Sequence, residues 1–254
     1  MSVAATLLIL TPVIWLVSRP ITAEGWLYIA LSGILEAIYF LLLGSAYQRG
    51  DMSLVYPIAR GSAPLFVILL AYLFLGERIF LGGIAGIVLI VVGIYVLHLK
   101  SLDAGGLAAP FLSLKERPSQ LALLTGVTIA GYNVVDKAGV GYAGPLFYLY
   151  LVFLVTTLLL APYMAVARRE AIRHEWRANK PSMVAVAIMF ITSFTLVLTA
   201  LTLDKVSYVA PVREVSVVFG AILGALVLKE PFAKAKIVGS ILIFAGIVCI
   251  GLIR

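Results

Sequence analysis

The chain has 254 residues, 63% of them hydrophobic and 12% charged, with a mean hydropathy of +1.12 and a formal net charge of +7. A sequence this apolar cannot close as a water-soluble globule of that length, so its solvent is the lipid bilayer. The basic excess lies between the apolar runs, where the positive-inside bias accounts for it without nucleic acid, and a lone cysteine, Cys249, excludes an intrachain disulfide or a cysteine metal cluster.

Apolar runs near the roughly 20 residues that cross a bilayer fall at about 2–18, 25–47, 54–75, 80–99, 119–138, 145–167, 181–203, 206–228 and 235–253. The runs are continuous rather than alternating, which predicts helices and excludes a β-barrel. The first run has no Lys or Arg ahead of Leu10 and no small-residue cleavage site before Arg19, so it reads as a retained span and not a signal peptide. Connections such as 48–53 and 76–79 are a few residues long, so neighbouring helices are antiparallel and no soluble domain fits between them. The expected fold is an all-α integral membrane protein of nine transmembrane helices.

The chain repeats itself. Residues 45–57 align without a gap on 199–211 at a shift of 154, with Ala46/Ala200, Ser53/Ser207, Val55/Val209 and Pro57/Pro211 identical. Glu77 pairs with Glu230 at a shift of 153, followed by Gly86/Gly239, Ile90/Ile243 and Gly93/Gly246, and residues 10–19 match 160–169 at a shift of 150. Two units follow, 1–99 with four helices and 119–254 with five, joined by a loop over 100–118. The counterpart of the helix that begins near 119 would lie upstream of Met1. Either the start is truncated, which the abrupt entry into the first helix favours, or the protein works with four helices plus five. Five helices per unit make the second copy enter the membrane from the opposite side, so the repeats are inverted, an arrangement suited to alternating access around a midplane site.

The run 32–79 resembles the EamA-like transporters of the drug/metabolite transporter superfamily. The resemblance rests on Ala46, Tyr47 and Gly50, then Ser53, Val55, Tyr56, Pro57, Ile58 and Arg60, then Gly76 and Glu77; the second copy answers with Ser207, Val209, Pro211, Arg213 and Lys229-Glu230. The resemblance implies a secondary carrier, often an exporter of amino acids, other metabolites or drugs, in some members exchanging substrate for protons.

Ionisable residues deep in a span are the functional candidates, because each costs about 2.5–3.5 kcal/mol at a helix centre on insertion scales. At about 1.5 Å per residue, Glu36 lies roughly 17 Å into its helix, Arg60 roughly 10 Å and Glu214 roughly 12 Å, with Arg213 beside Glu214. Tyr56 and Arg60 share one helical face and Glu36 and Tyr39 another, and both faces could line one cavity. Arg60 is either the anchor of an anionic substrate group or the ion-pair partner of Glu36 or Glu214. Those two carboxylates are candidate carriers of a coupling proton. Tyr132 and Asn133 are further binding candidates, although an Asn more often bonds within the bundle. Lys137 reads as a snorkelling interface residue. Pro57 and Pro211, at matching places in the two copies, are hinge or gate candidates. Gly82, Gly86, Gly93, Gly239 and Gly246 form small-residue seams that pack the bundle and offer a homodimer contact.

No cofactor and no metal is expected. Only His98 and His174 are present, with no carboxylate or histidine cluster at ligand spacing, which disfavours a membrane-embedded lipid enzyme. The second rival is a non-transporting membrane scaffold. The expected partners are a small-molecule substrate and the lipid of the plasma (inner) membrane. Grouping alternate loops puts twelve basic residues on one side and five on the other, which makes the first side cytoplasmic and places Met1 there; the resemblance instead implies a cytoplasmic C-terminus.

Overall fold

The structure, a computed structural model, describes residues 2–50, 52–97, 99, 113–167, 174, 179–219, 222 and 234–252. Among these residues there are nine α-helices and no strand. They are α1 (Ser2–Val17), α2 (Ala23–Arg49), α3 (Met52–Leu75), α4 (Leu81–Leu97), α5 (Arg117–Ala143), α6 (Pro145–Ala167), α7 (Lys180–Leu203), α8 (Val206–Arg213) and α9 (Lys234–Leu252), with a 3-10 turn at Ser113–Lys115. Lys229-Glu230, His98, most of the 100–118 loop and most of the basic loop after α6 lie outside the described residues.

Five stretches are long and apolar enough to cross a membrane: α2, residues Val55–Leu75 of α3, α6, α7 and α9. Stretches in α1 and α4, Val3–Val17 and Leu81–Leu97, are apolar but shorter. Helix α5 spans 27 residues, yet Thr125, Thr128, Asn133, Asp136 and Lys137 dilute its hydropathy. The run expected over 206–228 is not one unbroken helix. After α8 the chain turns at Glu214, whose N–H donates to Pro211 O at 3.0 Å, and is helical again over 215–219. Pro211 has no N–H to return to the preceding turn and its ring crowds the carbonyl four residues back, so it weakens the turn before it; the break itself lies after it, at Glu214. Pro57 and Pro64, by contrast, sit inside α3 without ending it.

The chain forms two compact units, residues 1–38 with 135–204 and residues 39–134 with 205–254, so the unit boundaries fall inside α2 and α5. In the first unit α1 packs on α6 and α7, and α6 on α7. Its core holds Ile29, Tyr148, Leu149, Phe153 and Leu201. Two threonines make matching contacts there. The Thr156 hydroxyl lies 3.1 Å from Gly33 O and the Thr6 hydroxyl 3.5 Å from Ala187 O. Thr6 and Thr156 are 150 apart and Gly33 and Ala187 are 154 apart, the shifts of the sequence repeat.

In the second unit α8 packs on α3, α4 and α9, and α4 lies along α9. The α4–α9 seam is made by glycines. A Cβ built on Gly86 would sit 2.8 Å from Gly246 O, and one on Gly246 2.5 Å from Gly86 O; Gly93 and Gly239 stand in the same reciprocal relation at 2.8 and 2.6 Å. Only glycine permits an approach this close. Gly86 meets Gly246 whereas Gly93, further along α4, meets the earlier Gly239 of α9, so the helices are antiparallel. Ile87, Ile90, Ile94 and Ile243 fill the flanks of the seam.

Candidate substrate and ion site

Helix α3 begins with a polar face in an otherwise apolar sequence. Tyr56 and Arg60 are one turn apart on it, and the Arg60 guanidinium carbon sits 5.9 Å from the centre of the Tyr56 ring, in cation–π range. From α8 the chain brings Glu214, 3% exposed, to the same place: Arg60 Nη1 donates to Glu214 Oε1 at 3.2 Å. The ion partner of Arg60 is therefore Glu214. Glu214 sits at the turn that closes α8, where the break after Pro211 re-aims the chain.

A small cavity of about 10 Å³, room for one water, adjoins the pair and is lined by Arg60, Ala63, Pro64, Val67, Ile129, Asn133, Ala210, Arg213 and Glu214. Glu214 Oε2 is buried and has no hydrogen-bond partner among the described residues. A carboxylate oxygen left so in a low-dielectric interior is costly, and the adjoining cavity has room for a single water or a polar group of a ligand beside it. Asn133, also a lining residue, spends its amide on Ile129 O of its own helix at 2.7 Å, leaving its carbonyl oxygen as the group a ligand could meet.

Tyrosines complete the surroundings. Tyr39 and Tyr132 meet edge to face with ring centres 5.9 Å apart, and Tyr39, Tyr56 and Tyr132 all lie within electrostatic range of Arg60. Tyr47 lies within electrostatic range of Tyr39, Tyr56 and Arg60. Seven of the eight candidates from the sequence, Tyr39, Tyr56, Arg60, Tyr132, Asn133, Arg213 and Glu214, thus belong to the second unit. Pro57 does not line that cavity; it lines a larger apolar groove with Gly61, Leu65, Val91 and Tyr95. Pro211 is buried in α8 beside the cavity-lining Ala210.

Glu36 belongs to the first unit. It is 3% exposed, with the Thr156 hydroxyl 3.4 Å from its Oε2. The same unit holds a second buried carboxylate, at a position that the sequence places near the end of a span on one face with Tyr132: Asp136 Oδ1 accepts from the Ser32 hydroxyl and, at 3.1 Å, from the Tyr148 hydroxyl. Its signal in the sequence was a carboxylate inside a predicted span. Lys137 is tied to the protein and not left free to reach out. Its ammonium donates to Leu201 O at 2.6 Å and Asp204 O at 2.8 Å, satisfying carbonyls at the C-terminal end of α7.

Counted without a gap, the counterpart of Arg60 is Glu214 and not Arg213, because both pairs Pro57/Pro211 and Arg60/Glu214 are 154 apart. The central ion pair therefore joins equivalent positions of the two copies.

The profile of the EamA-like transporter family matches residues 1–99 and 118–252. Among solved structures 27 chains match, so the fold is a recurrent one; a crystal structure among them aligns with a TM-score of 0.72 and 16% sequence identity over 99% of this chain and 84% of its own. At that identity the likeness speaks for the fold alone. Among curated proteins nothing matches. With both matched stretches together taking in nearly the whole sequence, the chain belongs to the EamA-like transporter family, within the drug/metabolite transporter superfamily, and is an integral, multi-pass membrane protein.

Proposed function

We propose that the protein is a secondary carrier that exports small polar metabolites across the plasma (inner) membrane, by alternating access between inverted repeats 1–99 and 119–254 linked by 100–118. The observation that carries this reading is the Arg60–Glu214 pair, which joins equivalent positions of the repeat beside a polar cavity. Two further relations support the inverted arrangement. The equivalent helices α4 and α9 run antiparallel with reciprocal glycine contacts, as a two-fold axis perpendicular to both would require. Thr6 and Thr156, from opposite repeats, contact equivalent carbonyls of the other repeat within the first compact unit.

In the mechanism that this geometry supports, Arg60 presents its remaining guanidinium N–H groups to an anionic substrate group, with the Tyr56 ring holding it from the side. Glu214 neutralises Arg60 when the site is empty, and its unpartnered Oε2 offers a place for a proton without breaking the bond from Oε1. A proton there weakens the hold on Arg60 as substrate arrives, which couples the two. Pro57 and Pro211 interrupt backbone hydrogen bonding in the equivalent helices that carry the pair and serve as hinges.

The test is counterflow in proteoliposomes over a panel of labelled amino acids, organic acids and cationic drugs. Saturable exchange that Arg60→Ala abolishes supports the carrier and names its substrate class. A folded, purified protein with no exchange for any member of the panel argues for the scaffold reading.

A further inference from the structure

The larger apolar groove lies wholly within the second unit and shares no lining residue with the ion-pair cavity. It holds about 360 Å³, within the range of small-molecule sites. Its walls come from α3, α4 and α5. Pro57, Gly61 and Leu65 recur at every fourth residue of α3 and so form one stripe, about 12 Å long at 1.5 Å per residue. Val91 and Tyr95 repeat that spacing on α4. Gly61 deepens the groove: a Cβ there would meet only Ile94, at 3.7 Å, so the absent side chain leaves space instead of making a close helix contact. Leu65, Val92 and Leu123 are each more than a third exposed, so the groove opens outward on the apolar flank of a membrane-crossing helix.

The chemistry of the walls favours a hydrocarbon occupant. Among the described residues no charged side chain lines the groove, and the Ser62 hydroxyl donates to Ala59 O of its own helix at 3.4 Å. One end of the groove is different. Leu114, in the 3-10 turn, closes it, the exposed Lys115 follows directly, and Arg117 opens α5 six residues before the lining Leu123. A Cβ on Gly50 would lie 2.6 Å from Pro118 Cβ, which brings Arg49, the last residue of α2, to the same end. Against these three cations stands one anion, Glu116, and among the described residues none of the four forms an ion pair. The positive-inside bias accounts for basic residues at a helix end. It does not account for an apolar groove that ends at them, which is the complement of an anionic lipid head group on its acyl chain.

We propose that the groove between α3, α4 and α5 is a binding site for an anionic phospholipid, with an acyl chain laid along Gly61 and the head-group phosphate held by Lys115 and Arg117. The inference is independent of the carrier reading. It adds a ligand on α3 next to the ion pair: Pro57 and Gly61 line the groove, whereas Arg60, between them in the helix, lines the cavity. A bound chain therefore braces the helix that presents Arg60.

The test uses the full chain, purified in detergent and stripped of lipid, then mixed with dioleoyl phosphatidylglycerol or with phosphatidylcholine of the same chains. Retained lipid is counted by native mass spectrometry. The wild type is expected to retain one phosphatidylglycerol with about tenfold preference over phosphatidylcholine, the factor that a small net positive charge beside an anionic head group implies. Lys115→Gln with Arg117→Gln is expected to abolish the preference and leave weak, equal retention of both lipids. Gly61→Leu, which fills the groove, is expected to abolish retention of both. The exposed charge variant keeps the proposal testable if Gly61→Leu does not fold. Equal retention of the two lipids by the wild type, or a preference that survives the charge variant, would overturn the head-group assignment and with it the proposal. Retention unchanged in a folded Gly61→Leu variant would place the lipid elsewhere. A dimer mass that Gly61→Leu abolishes, with no lipid retained, would give the groove to a second copy of the chain.

Discussion

Arg60 Nη1 lies 3.2 Å from Glu214 Oε1, and the two residues stand 154 positions apart, the shift that aligns the copies around Pro57 and Pro211. In the inverted arrangement proposed above, a two-fold axis brings equivalent positions face to face only on the axis itself, and that axis would lie in the plane of the bilayer. On that proposal the pair would stand at the level at which carriers of this architecture place their sites. Selection of opposite charges at equivalent positions turns a symmetric contact into an ion pair. Two arginines or two glutamates there would repel one another.

That relation predicts the behaviour of substitutions in the pair. Arg60→Ala leaves the Glu214 carboxylate buried and unpaired, at a cost of up to about 3–5 kcal/mol. Arg60→Glu with Glu214→Arg restores the pair by exchanging its ends. Thermal unfolding in detergent should show a large drop in Tm for either single charge change and recovery of most of it in the exchange. A double variant no more stable than Arg60→Glu alone would mean that the two side chains do not depend on each other.

The glycine seam gives a second prediction. Gly93→Val inserts branched carbons where Gly239 O and the Ile243 backbone already lie within 2.8 Å of a Cβ, so α4 and α9 must separate, at a cost of roughly 1–3 kcal/mol or more. Gly44→Ala is the control: nothing lies within 4 Å of its Cβ position in the middle of α2, and the exchange should leave Tm unchanged or raise it. Equal loss of Tm in both would contradict the close packing of α4 on α9.

Lys137 decides between two readings of one residue. A snorkelling lysine can be replaced with little effect. A lysine that satisfies Leu201 O and Asp204 O cannot, and Lys137→Ala should destabilise the protein by about 1–3 kcal/mol, with Lys137→Arg recovering part of it. Proteolysis at the end of α7 in membranes would reveal the loosened helix terminus; an unchanged digestion pattern would favour the interface role.

Glu214→Gln fixes the neutral form of the group assigned to carry the proton. Exchange of labelled for unlabelled substrate should continue, whereas flux driven by a pH gradient should disappear, measured in the same proteoliposomes. Gradient-driven flux at the wild-type level would move the proton to another group, with Glu36 and Asp136 the remaining carboxylates buried within helices among the described residues.

The charged residues of this site were legible in the sequence because a bilayer makes each of them conspicuous: Arg60, Arg213 and Glu214 stand out within apolar runs, and Glu36 proves equally buried. What each one touches was not legible. Asn133 turned its amide onto its own helix, and Lys137 found carbonyls at the end of a helix more than sixty residues away, a partner that spacing along the chain does not reveal. Tyr47 and Glu77 were visible only as parts of a recurring motif. Glu77 accepts the Val206 N–H and the Ser207 hydroxyl, a contact that depends on the start of α8 arriving beside the α3–α4 turn, a matter of tertiary packing. The interruption at Glu214 was not legible, because Pro211 weakens the turn before it, whereas the break lies three residues after it, where the Glu214 N–H bonds Pro211 O.

The measurement that bears most directly on the site is counterflow by the volume-matched double variant Arg60→Met with Glu214→Leu, which replaces the buried ion pair by apolar groups and should fold at least as well as either single variant. The account predicts a stable, correctly inserted protein with exchange reduced at least a hundredfold, because the pair is the substrate and proton site as well as a staple. Exchange near the wild-type rate in that variant would show that Arg60 and Glu214 only hold α3 to α8, and that the substrate binds elsewhere.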